Sequence, residues 1–358
     1  MKERNSNLEL LRIIAMFIIV AHHYVVNSGI VSLYDFNNIS FNMIFSQIWG
    51  FGGKMAINIF VLISCYFMCT YKLTWLKILK LYLEIKFYSV VMFIIFVLTG
   101  YTELNIKNLY KLIFNVANSV EVSFTGSFMA FYILIPFLNR AIKSLSQAMH
   151  AKICCVLLIL YMGISTFILT NDTWSYIGWY VTLYFVGSFL RLYPNKYTQQ
   201  VKYALFTFVS SLNLIFASII VVDYIGTRMG FYDYYYLCND SHKLLAFICA
   251  LSLFILFNNI DIKNSKIINS VAGTTFGVFL IHTRGDAMRK FLWNDLFKNT
   301  KYYNSNLFVV HAIVCTILVF VVCVCIDNLR KKYIEKPLFT KLSRIDVLQR
   351  ECFTEKNE

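Results

Sequence analysis

The sequence predicts an all-α, polytopic membrane helix bundle with about ten transmembrane helices and both termini cytoplasmic. Three observations predict it. Of 358 residues, 58% are hydrophobic and only 15% charged, more apolar surface than a water-soluble core of this length can bury. Apolar runs of about 20 residues, the length that crosses a bilayer, recur from one end of the chain to the other. Lys and Arg gather at the ends of those runs, mainly on one side. The 3 prolines and 14 glycines leave room for long helices and exclude a disordered or collagen-like chain.

The runs fall at 8–27, 50–70, 80–100, 127–142, 153–170, 175–193, 203–225, 242–258, 270–287 and 306–327, and the ninth has the shortest apolar core. With the N-terminus inside, the segments 1–7, 71–80, 140–152, 191–202, 259–269 and the tail after 327 carry 21 Lys and Arg, against 8 on the outer loops 27–49, 101–126, 171–174, 226–241 and 284–305. The last of these loops is an exception, with Arg284, Arg289, Lys290, Lys298 and Lys301. It is either misplaced or suited to an anionic glycan or lipid phosphate. The first run follows Lys2 and Arg4, contains Glu9 and Arg12, and has no small-residue cleavage site after it, so it reads as a retained helix rather than a signal peptide.

No repeat or linker divides the chain, so residues 1–344 are expected to form one membrane domain and 345–358 a short polar cytoplasmic tail. The net charge of +14 belongs to helix ends facing anionic lipid and not to a nucleic-acid surface. The ten cysteines form no CxxC pair and have no metal-ligand spacing; most, among them Cys154, Cys155, Cys249, Cys315, Cys323 and Cys325, sit in apolar stretches as small core residues, and no metal is expected.

The chemistry concentrates in the first run, LELLRIIAMFIIVAHHYVV. Ionisable side chains inside a span are costly and face a cavity or a partner. At about 100° and 1.5 Å per residue, Arg12 and His23 are eleven residues apart, so they share a face and lie about 16 Å apart along the axis. Glu9 sits close to the same stripe, one turn before Arg12, while His22 lies about 80° off it. Geometry therefore selects His23 over His22. The alternatives are an interfacial histidine and an arginine snorkelling to the surface.

Arg-x10-His on a first helix, in the setting ELLRIIAMFIIVAHH, resembles the acyltransferase-3 family of membrane O-acyltransferases. Further similarities follow in order along the chain. FVLISCYF (60–67) is similar to the family's phenylalanine-rich serine–glycine motif, with Ser64 on the serine and Cys65 in place of the glycine. Lys77-Ile-Leu-Lys80 stands where the family often has Arg-x-x-Arg, and lysine lacks the bidentate fork. FYILIPFLN, with Pro136, resembles the proline-containing segment of the fourth helix, without its preceding tryptophan. FGVFLIH, ending at His282, resembles the tyrosine–leucine–histidine motif of the ninth helix, with phenylalanines for tyrosines. Tyr333-Ile-Glu335-Lys336-Pro337 is similar to the closing glutamate–lysine–proline motif.

The resemblance implies a bacterial cytoplasmic (inner) membrane enzyme that moves an acetyl or similar acyl group from acyl-CoA, usually acetyl-CoA, to a hydroxyl of a surface polysaccharide or its lipid-linked precursor. It places the essential histidine on His23, as general base or as transient acyl carrier. Arg12, His282 and Glu335 join the expected catalytic set, and Lys77, Lys80 and Ser64 the donor-binding set. The expected partners are membrane lipid, acyl-CoA and the glycan acceptor. A polysaccharide exporter of the same fold group is the alternative, but a transporter should show related halves with helices broken in matching places, and no such repeat is visible. A glycan polymerase would need a longer outer loop than any here.

Overall fold

The computed structural model describes residues 6–168 and 175–353. Lys2 and Arg4, the outer loop at 171–174 and the end of the tail from 354 lie outside the described residues.

The described residues form helices and contain no β-strand, only an isolated bridge between Thr74 and Glu351. In chain order the α-helices are α1 Ser6–Val26, α2 Phe41–Gly50, α3 Gly53–Met68, α4 Trp75–Leu98, α5 Ile106–Ile113, α6 Phe124–Ser144, α7 Gln147–Leu158, α8 Ile164–Phe167 and α9 Tyr176–Leu192. They continue as α10 Val201–Val221, α11 Leu244–Asn259, α12 Lys266–Ala272, α13 Thr275–His282, α14 Gly285–Arg289, α15 Asn299–Tyr302, α16 Phe308–Arg330, α17 Lys336–Leu342 and α18 Asp346–Gln349. Side chains at several starts accept from an orphaned backbone N–H. Ser40 does so for Met43 at 3.1 Å, Asn105 for Asn108 at 2.9 Å and Ser175 for Gly178 at 3.0 Å.

Among the described residues, seven helices are long and apolar enough to cross a membrane: Ser6–Val26, Phe41–Met68, Trp75–Leu98, Phe124–Ser144, Gln147–Phe167, Val201–Met229 and Phe308–Leu342. The other three expected runs form shorter helices. α9 has 17 residues and α11 has 16, about 24–26 Å at the α-helical rise. The ninth run is not one helix: it breaks at Gly273–Thr274 into α12 and α13, of 7 and 8 residues, and Gly285 with φ +73° opens α14 after a further break.

On α16 two apolar faces alternate. Ala312, Cys315, Val319 and Cys323 are buried, while Val314, Ile317, Leu318, Val321 and Val322 are exposed. An exposed apolar face of this extent fits contact with lipid rather than water.

The chain divides into two compact units. The first takes Met1–Ile63, Met162–Asn171 and Asn195–Val324. In it α1 packs against α2, α11, α12 and α13, and α10 packs on α11. Both ends of α1 are tied by side chains. The Asn7 amide donates to the Phe257 and Ile260 carbonyls at the end of α11, each at 2.8 Å, and the Asn299 amide donates to the Tyr24 carbonyl at 3.0 Å.

The second unit takes Ser64–Tyr161, Asp172–Pro194 and Cys325–Glu358. In it α6 and α7 pack on α9, and α4 packs on α6. The segment expected as a polar tail starts with α18 and then docks: the Cys352 N–H donates to the Leu73 carbonyl at 2.8 Å, and the Phe353 ring lies 5.1 Å from both Trp75 and Phe137.

Candidate active site

The first unit brings His23 and His282 together across 259 residues of sequence, with His23 Nδ1 2.9 Å from His282 Nε2. The hydrogen-bonding network assigns the protons. His282 Nδ1 lies 2.6 Å from the Val278 carbonyl, which can only accept, so Nδ1 carries the proton and donates. His282 Nε2 is then the bare nitrogen and accepts from His23 Nδ1–H. This leaves the lone pair on His23 Nε2, for which no hydrogen-bond partner is found among the described residues. A histidine held in one tautomer by a buried partner, with its other nitrogen open, is the arrangement of an oriented base. His282 is fully buried on α13, and the break at Gly273–Thr274 starts the short helix that carries it.

His22 does something else. Its Nδ1 lies 2.5 Å from the Gly50 carbonyl at the end of α2. Gly52 and Gly53 let the next helix come close: a Cβ on Gly53 would fall 2.3 Å from the His22 ring, and one on Gly52 2.4 Å from Ile18 Cγ2. His22 thus anchors α1 against the α2–α3 junction. Arg12 lies on α1 and pairs with Glu9 at 3.2 Å, one turn back.

A fourth histidine, His311, carries no distinguishing signal in the sequence. Its Nδ1 bonds the Tyr24 hydroxyl at 2.8 Å, its Nε2 donates to the Phe297 carbonyl at 3.0 Å, and its ring stacks on Tyr302 at 3.9 Å. With both nitrogens engaged it holds α16 to the residue next to His23. Arg284, two residues past His282, is half-buried, and burial pulls its guanidinium below the ordinary arginine value. No carboxylate pairs with it among the described residues. The sequence showed Arg284 only as part of a basic loop.

The remaining expected site residues belong to the second unit. Ser64 is half-buried on α3. Lys77 donates to the Lys72 carbonyl at 2.8 Å and lies 3.3 Å from the centre of the Tyr71 ring. Lys80 pairs with Glu335 at 2.6 Å. Glu335 is buried in an ion-pair network centred on Arg330, which contacts Glu335 at 2.9 Å, Glu84 at 2.8 Å and Asp327 at 2.7 Å. Asp327 also accepts from the Tyr88 hydroxyl at 2.7 Å. Carboxylates buried at this depth persist because each faces a cation or a donor. The contacts of Glu335 are therefore those of a tie between α4 and the segment after α16.

A cavity of about 200 Å³ in the same unit is bordered by Lys72, Arg140 and Lys143, with Glu351 at its edge paired to Lys72 at 3.4 Å. Among the described residues no group of three or more His, Cys, Asp or Glu is placed to hold a metal.

The family model described as "Acyltransferase domain", of the acyltransferase-3 type, matches residues 5–327, nearly the whole chain. No curated protein and no solved structure matches.

Proposed function

The chain belongs to the acyltransferase-3 family of membrane acyltransferases, and from that premise we propose that it transfers an acetyl or similar acyl group from acyl-CoA to a hydroxyl of a cell-surface polysaccharide or its lipid-linked precursor, with His23 as general base. One observation carries this reading: His282 accepts from His23 Nδ1–H and leaves Nε2 as the basic nitrogen. In the proposed step His23 Nε2 takes the proton of a sugar hydroxyl as its oxygen attacks the thioester carbonyl. The carbon–sulfur bond then breaks, and the proton passes from the imidazolium to the departing thiolate. Each exchange balances, and His23 returns to its starting form. His282 does not touch the reacting atoms and acts as a positioning residue, strengthening its bond when His23 is charged. Arg12 lies toward the cytoplasmic end of the same helix and is assigned to the path of the pantetheine arm.

For the nucleotide phosphates of CoA the reading assigns Lys77 and Lys80. They sit in the first turns of α4, where cations run against the helix dipole and an anion is favoured. Lys72, Arg140 and Lys143 around their cavity add to this charge. Ser64 is kept as a donor-side contact, and Glu335 positions Lys80. The proposed setting is the bacterial cytoplasmic membrane with both termini inside, and α9, α11 and the α12–α13 pair complete about ten crossings.

The test uses purified membranes and radiolabelled acetyl-CoA. Label should enter polysaccharide, and His23→Ala should stop it while the protein stays inserted. Transfer unchanged by His23→Ala refutes the assignment, and loss of glycan export with normal acetylation selects the exporter reading. Rapid quenching in denaturant near neutral pH during turnover separates the two chemistries: label held by the wild-type protein and absent from His23→Ala would mean an acyl-histidine intermediate.

A further inference from the structure

The loop after α1 and the end of α10 enclose a cleft of about 490 Å³ in the first unit, bordered by Tyr34, Phe36, Asn37, Asp223, Arg228 and Tyr232 among others. One wall is aromatic. Phe36 lies 5.6 Å from Tyr232 and 6.4 Å from Tyr34, both edge-on, and Tyr232 is 56% exposed. Other lining residues are polar. Asp223 is 1% exposed; its Oδ1 accepts from the Gln47 amide at 3.0 Å, and its Oδ2 has no hydrogen-bond partner. A buried carboxylate oxygen left without a donor is costly, and such orphans point to a ligand that supplies one. Asp223 also lies in a π-helical turn, Val222–Gly226, a local widening that often accompanies functional sites. Arg228 is exposed, and no carboxylate pairs with it among the described residues.

We infer that this cleft holds a pyranose unit of the acceptor glycan, an inference that rests on the acyltransferase reading above. A sugar ring has an apolar C–H face for Phe36 and Tyr232 and a rim of hydroxyls that can donate to Asp223 Oδ2 and meet the Asn37 amide. An acyl chain would leave Asp223, Asn37 and Arg228 unsatisfied. Arg228 adds a preference for sugars that carry a carboxylate. The helix α2 links the cleft to the histidines: its first residue follows the loop that forms the cleft, and its last, Gly50, receives His22. That separation is about 14 Å along the axis, so the cleft takes a sugar along the chain from the one being acylated.

The full chain in detergent is tested by saturation-transfer NMR with methyl glucoside, glucuronic acid and glycerol phosphate as probes, without acyl donor. Saturation should reach the ring C–H protons of both sugars, more strongly for glucuronic acid. Tyr232→Ala and Phe36→Ala, at partly exposed positions, should each weaken binding about three- to tenfold, and Asp223→Asn, which keeps the shape, about tenfold or more. Equal signals in wild type and all three variants overturn the inference. So does saturation of glycerol phosphate alone, which assigns the cleft to a lipid headgroup. Because no acyl donor is present, the result stands apart from whether His23 performs the chemistry.

Discussion

Replacing His282 by alanine removes the acceptor of His23 Nδ1–H, 2.9 Å away, and leaves that N–H without its partner. In the proposed mechanism this bond joins two neutral rings at rest, and in the transition state His23 would carry the proton and the bond would become charge-assisted. Hydrogen bonds to charged groups are worth about 1.5–3 kcal/mol, against about 1 kcal/mol for neutral ones. The difference, about 0.5–2 kcal/mol, is specific to the transition state. Loss of the fixed tautomer adds to it, so kcat should fall about 10- to 100-fold at 1.4 kcal/mol per decade, with little change in the KM for acetyl-CoA. His282→Gln retains an acceptor oxygen and should recover part of the loss. The assay is initial-rate transfer of radiolabel in membranes normalised for inserted protein. A double-mutant cycle sharpens it, since in a His23→Ala background His282→Ala should cost nothing further. Wild-type kcat in His282→Ala, or fully additive losses in the double variant, would refute the reasoning.

Gly53→Ala places a methyl 2.3 Å from the His22 ring and should lower the thermal midpoint by an amount matching about 1–3 kcal/mol of overpacking, together with activity; a midpoint equal to wild type in a thermal-shift measurement rejects the close-packed junction. Glu335→Gln takes the carboxylate from Lys80 and from Arg330 and should cost about 3–5 kcal/mol, read as reduced accumulation and earlier aggregation on heating, with restoration by Glu335→Asp in part. Cys238 is 2% exposed, and burial pushes its thiol up to about 12, so the reactive thiolate is scarce below that pH; with the exposed Cys155 and Cys325 replaced by serine, or with the labelled site read by peptide mapping, maleimide should reach Cys238 only after unfolding in detergent, and prompt labelling of Cys238 in folded protein at pH 7.5 would contradict the buried environment.

Much of the fold follows from hydropathy alone, because a long apolar run needs no partner to declare itself. α1, α4, α6, α10 and α16 lie close to where the runs place them. The ninth run was harder, since its break at Gly273–Thr274 interrupts apolar residues that continue on both sides. Within the site, the stripe of Arg12 and His23 is a local property and legible from helical periodicity. The bond between His23 and His282 is not, because it depends on how α13 docks against α1. Gly52 and Gly53 carried a signal, as adjacent glycines at a helix start suggest a close approach, but what approaches them could only be known from the packing. Asp327 and Arg330, at the junction of the last run and the tail, form the centre of a buried network that depends on how α4 meets the segment after α16. The orphaned oxygen of Asp223 leaves no trace in sequence at all.

The lodging of the His22 ring at Gly53 has a consequence for how this chain can vary over time. α1 behaves as a keyed shaft, its azimuth locked near one end by that ring and its bond to Gly50. Inserting or deleting one residue between Arg12 and His22 would leave the histidine pair seated while swinging the Glu9–Arg12 end by about 100° around the axis. Length changes in that stretch are therefore tolerable only near whole turns, three or four residues at a time, and descendants of this sequence should preserve the eleven-residue step more strictly than the identity of the apolar residues within it.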